Sequence, residues 1–389
     1  MDTIHRGIIT LLKSAITGEK LSLPEGFDIE KAYAKIKSHH VIPLAYTGAV
    51  NCGIDQSHPV MHKLFQGYLK AMQISQRQMR DLRRVFEAFE EQKIDFLPLK
   101  GCNMKEKYPR PELRMMGDAD ILIREKQYKR IKPIMSGLGF QEGIIGPQHV
   151  QWESSSLCVE LHNSLFGKKE TKVHDYFKNP WSYAKPQRGT RYAMSEEDML
   201  VYQFAHFARH YRSSGIGCRH VTDLWVFFRS YPNLNEAIIR EKLEKMRLWT
   251  FFNHIRRLID VWFENAEADD QTEFITRSVF TGGSWGSSRN HVLSESARRM
   301  GSSDSVFKAK LKYLRETFFP GLDDMRYRYS VLHKAPYLLP VMWFVRIFSR
   351  ITTLSEDIKK QRNMLHTLNE PALLERKRAL EYVGLMDEK

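Results

Sequence analysis

The sequence predicts an α+β fold in which a small mixed sheet is flanked by all-helical regions on its N-terminal and C-terminal sides. Three observations lead there. Between residues 61 and 92, Phe65, Tyr68, Met72, Met79, Leu82, Phe86 and Phe89 recur near the three-and-four spacing of one helix face. From 91 to 190 the pattern becomes short apolar runs of period two, punctuated by Gly and Pro. After Ser195 helical periodicity returns and continues to the C-terminus.

The elements follow in chain order. The opening MDTIHRGIITLLKSAITGEK is interrupted by Arg6 and Lys13, so it predicts an amphipathic helix rather than a signal peptide. KAYAKIKSHHVIPLAYTGAV is helical with a break around Pro43, and 61–92 forms one long helix. IDFLPLKG, GDADILI, HVQWESS and SLCVELHNSL are strands, and REKQYKRIKPIMSGLGF is a helix weakened at Pro133 and ended by Gly137 and Gly139. SEEDMLVYQFAHFARHY opens on a Ser195-x-x-Asp198 cap with an acidic first turn. TGGSWGSS at 281–288 reads as a flexible linker. The expected divisions are an N-terminal helical region (1–90), the α/β core (91–190), a helical domain closing a cleft (191–320) and a C-terminal helical extension (321–389).

Bulk properties bound the function. With 389 residues, 42% hydrophobic, the chain can bury a substantial core, and a formal charge of +14 with pI near 9.5 favours an anionic partner such as a nucleotide, nucleic acid or an acidic surface. Cys52, Cys102, Cys158 and Cys218 form no CxxC pair, which argues against a zinc knuckle or a disulfide framework and for a reducing cytoplasm. The strongest apolar run, APYLLPVMWFV at 335–345, is too short to span a bilayer and holds two prolines, so no transmembrane segment is expected. The surrounding MRYRYSVLHKAPYLLPVMWFVRIFSR mixes aromatic and basic residues, and core packing is its commonest explanation beside a membrane-surface or nucleic-acid face.

The chemistry centres on GDADILI. Residues i and i+2 of a strand share a face, so Asp118 and Asp120 present paired carboxylates while Ala119, Ile121 and Ile123 face the other way. Like charges that close repel, and a hard divalent cation relieves them. CVELHN repeats the device with Glu160 and His162, on a strand that could lie beside the first. Three carboxylates on adjacent strands suit two-metal phosphoryl chemistry with Mg²⁺. In LKGCN, Gly101 allows backbone to approach a phosphate, with Lys100 and Arg114 as cations on either side.

These residues resemble the uncharacterised nucleotidyltransferases of the polymerase β superfamily. The likeness rests on Leu99-Lys100-Gly101, Tyr108, Arg114, GDADILI and VELH, in that order, and extends weakly through SHHVIPL at 38–44, AHFARH at 205–210 and Phe319-Pro320. Cys102 stands where the superfamily has the serine of a Gly-Ser turn, the gap from Gly101 to Asp118 is longer than is usual, and Glu160 replaces a common Asp. The resemblance implies a polymerase β-like core with two Mg²⁺ ions on Asp118, Asp120 and Glu160, and a triphosphate held by Lys100, Gly101 and Arg114. The reaction implied is transfer of a nucleoside monophosphate from an NTP, ATP foremost, to a hydroxyl or phosphate acceptor on a small molecule, protein or RNA. Two alternatives stand beside it: an inactive, antitoxin-like nucleotide- or partner-binding module, and a basic RNA-binding protein.

His162, His206 and His210 are candidates to line the cleft; the i, i+4 spacing of His206 and His210 also matches half of a zinc site, without an HExxH glutamate or a third ligand. Asp223 is expected to be structural, paired with Arg219 one turn earlier. Without metal, Asp118, Asp120 and Glu160 are expected to repel one another.

Overall fold

A computed structural model describes residues 1–167, 171–283, 318–326, 329–351 and 370–386, with Ser294, Leu311 and Arg315 singly between. The chain divides into two compact units, the first comprising Met1–Ile144, Gln148–Phe207 and Ile216–Ser284, the second Ile145–Pro147, Ala208–Gly215 and Trp285–Lys389.

The first unit opens on α1 (Thr3–Thr17), α2 (Ile29–Ser38), α3 (Ile42–Asn51) and α4 (Pro59–Glu91). Asp2 caps α1 by accepting from Ile4 N at 3.2 Å, and Asp28 caps α2 by accepting from Glu30 N and Lys31 N. Pro43 lies in the first turn of α3, so it opens a helix rather than breaking one; the reversal before it passes through His40 at φ 53. The 33-residue α4 is the expected long helix, but its buried stripe is not the expected list. Leu64, Ala71, Ser75, Gln78, Leu82, Val85 and Phe89 are buried, whereas Phe65 is exposed. Counting apolar residues misses this seam because part of it is polar: Gln78 donates to the Met116 carbonyl at 3.0 Å, and Ser156 donates to Asp81. Both bonds tie α4 to the chain just ahead of a central strand.

The sheet has seven strands in the order β3-β4-β5-β2-β1-β7-β6, mixed in sense. They are β1 (Phe96–Pro98), β2 (Asp118–Ile123), β3 (Gln141–Ile145), β4 (His149–Glu153), β5 (Cys158–His162), β6 (Ala184–Arg188) and β7 (Arg191–Met194). Between them lie α5 (Gly101–Met104), α6 (Tyr128–Gly137) and α7 (Thr171–Tyr176). β1, β2, β4 and β5 are the four expected strands. β3, β6 and β7 were not expected: β3 and β6 are largely exposed edges, and Pro186 sits in β6, where an unpaired side tolerates it. One face of the sheet is apolar, with Ala119, Ile121, Ile123, Val159, Leu161 and Phe96 packed against Leu82, Val85 and Phe89 of α4 and Ile131 and Met135 of α6. That burial aims the alternate residues of β2 and β5 out of the opposite face.

After the sheet come α8 (Glu196–Ser213), α9 (Cys218–Ser230), α10 (Glu236–Lys245), α11 (Trp249–Phe263) and α12 (Asp270–Gly282). Ser195 caps α8 as expected, its hydroxyl accepting from Asp198 N at 3.1 Å. Of the expected linker at 281–288, residues 281–283 finish α12 and the rest lies outside the described residues.

In the second unit the described helices are Leu322–Arg326, Val331–Lys334, Leu339–Ile351 and Glu370–Tyr382. Trp343 donates to the Pro320 carbonyl at 2.9 Å, and Arg376 to the Tyr211 carbonyl at 2.7 Å. The expectation that the 325–350 stretch packs as core holds only in part: Met325 and Leu332 are buried, but Tyr337, Val341, Phe344 and Phe348 are exposed. Among the described residues, no helix is long and apolar enough to cross a membrane.

Candidate active site

β2 and β5 are parallel neighbours whose register sets Asp118 beside Cys158, Asp120 beside Glu160 and Leu122 beside His162. β4 continues the face on the other side of β5, antiparallel, pairing His149 with His162 and Gln151 with Glu160. Paired residues point the same way, so three carboxylates and two imidazoles share one patch. The sequence placed Asp118, Asp120, Glu160 and His162 there; His149 and Gln151 were missed, because only the β4–β5 register brings them in.

Asp120 is the hub. Its Oδ1 accepts from Lys100 Nζ at 2.7 Å and meets His162 Nε2 at 2.8 Å, and the residue is buried. Burial alone would raise its pKa, but the Lys100 charge and the His162 contact outweigh that and hold the carboxyl far below the usual range. Glu160 Oε1 accepts from Gln151 Nε2 at 2.9 Å, and Oε2 lies 3.4 Å from His162 Nε2. Burial opposes its ionisation too, and the His162 and Gln151 contacts again win, lowering its pKa. Burial would lower the His162 pKa, but its contacts with Asp120 and Glu160 raise it. Asp118 goes the other way: burial first, then the charges of Asp120 and Glu160, raise its pKa. The expected repulsion is present at Asp118 and, from Asp120, at Glu160, but its outcome differs. The Lys100 and His162 contacts outweigh burial at Asp120, the His162 and Gln151 contacts outweigh it at Glu160, and at Asp118 burial and the two neighbouring charges outweigh the pull of Lys100.

The phosphate-binding residues expected from LKGCN sit differently from their expectation. Lys100 has φ 41, a strained backbone for a residue with a side chain, and its ammonium is on Asp120. A Cβ on Gly101 would come to 3.0 Å from Arg114 NH1 and 3.3 Å from Met116, so a larger residue would press on both side chains. Arg114 is not at an open site. It is buried, with Nε on Asp223 Oδ1 at 2.9 Å and NH2 on Asp223 Oδ2 at 3.0 Å, a two-pronged ion pair. Tyr108 donates to the same Oδ1 at 2.7 Å, while Lys105 donates to the Arg114 carbonyl at 2.8 Å and Arg219 to the Met115 carbonyl at 3.2 Å. Asp223 is structural as expected, but its hydrogen-bonded partners are Arg114 and Tyr108, with Arg219 contributing charge. The sequence could not reveal this because Arg114 and Asp223 are 109 residues apart.

His206 and His210 are half-buried on α8, and neither belongs to a group of three potential metal ligands among the described residues. The group that does exist is His149, Glu160 and His162.

A family model described as an uncharacterised nucleotidyltransferase matches residues 25–264. The chain belongs to that nucleotidyltransferase family. A solved structure, the solution structure of the antibiotic-resistance factor ANT(2'')-Ia, resembles this nucleotidyltransferase at 12% identity with a TM-score of 0.34, covering 49% of this chain and 100% of that one. That TM-score is too low to bear on the chemistry. The comparison with curated proteins gives no match. Nucleotidyltransferases act on a nucleotide and generally use divalent metal ions. The residues of this one suit such an ion: three carboxylates share one face of β2 and β5, and Asp118, whose pKa is raised by burial and then by the charges of Asp120 and Glu160, would gain from a cation.

Proposed function

We propose that this nucleotidyltransferase moves a nucleoside monophosphate from an NTP, ATP foremost, to a hydroxyl or phosphate acceptor and releases pyrophosphate. The observation that carries the reading is the β2–β5 register, which sets Glu160 beside Asp120 with Asp118 on the same face. Asp118 and Asp120 would hold two Mg²⁺ ions, and Glu160 would complete the acceptor-side shell. Bound there, the ions supply Lewis-acid stabilisation of the leaving pyrophosphate and lower the pKa of the acceptor hydroxyl.

The chain's own groups do the rest. Lys100, at the start of α5, brings a positive charge to the carboxylate patch from outside the β4–β5 pair, and it is the candidate to meet a triphosphate oxygen. Gln151 orients Glu160 by holding Oε1. Arg114 acts as a positioning residue: its pair with Asp223 anchors the chain ahead of β2 to α9, and Gly101 packs against its third nitrogen. In this reading the acceptor is chosen by the helices after 195. The four cysteines are free, which agrees with a reducing cytoplasm.

The test is incubation with each labelled NTP and Mg²⁺, followed by mass spectrometry of the protein and of a cell extract. Transfer that disappears in Asp120→Asn supports the reading, and a folded Asp120→Asn protein with wild-type turnover overturns it. Glu160→Gln should lower turnover more than NTP binding, and an equal loss of both would move Glu160 from the acceptor to the nucleotide.

A further inference from the structure

We propose that His149, Glu160 and His162 form a site for one first-row transition-metal ion of the Zn²⁺ class, distinct in chemistry from the all-oxygen pair Asp118 and Asp120. His149 and His162 are register partners on β4 and β5, and Glu160 is two residues ahead of His162 on the same face, so backbone hydrogen bonding fixes all three side by side. Their ligand atoms lie within 4.8 Å of one another. Glu160 Oε1 is 3.5 Å from His149 Nε2, and Oε2 is 3.4 Å from His162 Nε2. A tetrahedral ion with bonds of about 2.0–2.1 Å separates its ligands by about 3.3–3.4 Å. Each separation is near that length, and because they end on different oxygens of Glu160 they set its carboxylate between the two rings.

Burial and donor type point the same way. His162 is 6% exposed, and its Nδ1 is a buried ring nitrogen with no hydrogen-bond partner among the described residues. The nitrogen that faces Glu160 is Nε2, which also meets Asp120 Oδ1 at 2.8 Å, so an ion held at Nε2 would take the place of that contact. The His149 side chain is 28% exposed, which leaves one side of the cluster open for an ion to enter and for a fourth ligand. Two imidazoles and one carboxylate form a set that suits Zn²⁺, Co²⁺ and their neighbours, whereas Mg²⁺ takes oxygen. Gln151, bonded to Glu160 Oε1 at 2.9 Å, is placed to orient that ligand from behind. The site shares Glu160 with the nucleotidyl-transfer reading but does not depend on that reaction, so it can be tested without nucleotide.

Co²⁺ is the probe. Added to the full-length, chelator-stripped protein with no NTP, it should produce a visible absorption band that saturates at one ion per chain, is displaced by stoichiometric Zn²⁺ and survives millimolar Mg²⁺. His149→Gln should weaken Co²⁺ binding on the order of a hundredfold or more, with unchanged circular dichroism. Asp118→Asn should leave the band in place while removing transfer, which separates failure of this site from failure of the proposed activity. Absence of the band, equal affinity in His149→Gln and wild type, or displacement by Mg²⁺ as readily as by Zn²⁺ would each overturn the proposal. If His149→Gln lowers the melting temperature, His149→Asn measured by the same titration decides: retained affinity there overturns the site, and lost affinity with a wild-type melt supports it.

Discussion

Two buried clusters of charge in the first unit are built in opposite ways. On the β2–β5 face, Asp118, Asp120 and Glu160 lie together, and Lys100 is ion-paired with Asp120. At α9 the Asp223 carboxylate is paired with Arg114 and feels the charge of Arg219, while Lys105 donates to the Arg114 carbonyl. The second cluster is closed by its own geometry, since Asp223 takes both prongs of Arg114 and the Tyr108 hydroxyl, and burial pushes the Lys105 pKa down to about 8. The first is left open at Asp118, half-buried with a raised pKa. A buried charge answered by the chain holds the fold, and in the proposed reading the less fully answered one is where a ligand would act.

That contrast can be broken most forcefully at Asp223. Asp223→Ala strands the buried Arg114 charge and should cost about 3–5 kcal/mol in urea unfolding. A loss under about 1 kcal/mol would mean that Arg114 finds another anion, and its expected phosphate role would return.

The opposite behaviour is expected on the sheet face. Asp118→Asn should lower transfer on the order of a thousandfold, about 4 kcal/mol of transition-state stabilisation, yet melt in EDTA at or above wild type because a repelling charge has gone. Asp120→Asn should melt below wild type, since Lys100 and His162 lose the carboxylate between them. An Asp118→Asn protein that melts well below wild type would make Asp118 structural and erase the distinction.

His39 sharpens the comparison with a buried base whose pKa is lowered by burial. Burial, aided by the charges of Lys35, His5 and His40, pushes its pKa down to about 4, and its Nδ1 accepts from Cys218 N at 3.2 Å. The unfolded chain then binds a proton that the native state refuses. Stability from this group is complete above about pH 6.5 and falls as pH drops from there towards 4, by about 3 kcal/mol at most. His39→Gln should flatten that limb of the stability–pH curve, and an unchanged slope would assign it to other groups.

Ligand should act on the open cluster alone. Mg²⁺ with NTP at a hundredfold excess over Kd should stabilise the wild type by about 2.7 kcal/mol, a melting shift of a few degrees, and should do little for Asp118→Asn. A full shift in that variant would place the nucleotide elsewhere. The smallest effect belongs to Gly101, which lies between the clusters. Gly101→Ala pushes a methyl against Arg114 and Met116 and should cost about 1 kcal/mol of stability. If it instead lowers nucleotide affinity with no change in melting, the glycine serves phosphate and not packing.

The sequence by itself determined what local periodicity encodes. The paired aspartates and VELH were legible because alternation on a half-buried strand is written in consecutive residues, and the helices because capping groups such as Asp28 and Ser195 act within one turn. β3 and β6 were not legible, since a largely exposed edge strand has no face to bury and so no alternation to read. Neither was the polar seam of α4, whose Gln78 is buried because of a carbonyl 38 residues away. Only the tertiary structure decided that His149 joins Glu160, that Lys100 rests on Asp120, and that Arg114 closes on Asp223. Each of these depends on which strand or helix becomes a neighbour, and that is settled by packing across long stretches of chain, where sequence spacing carries no distance.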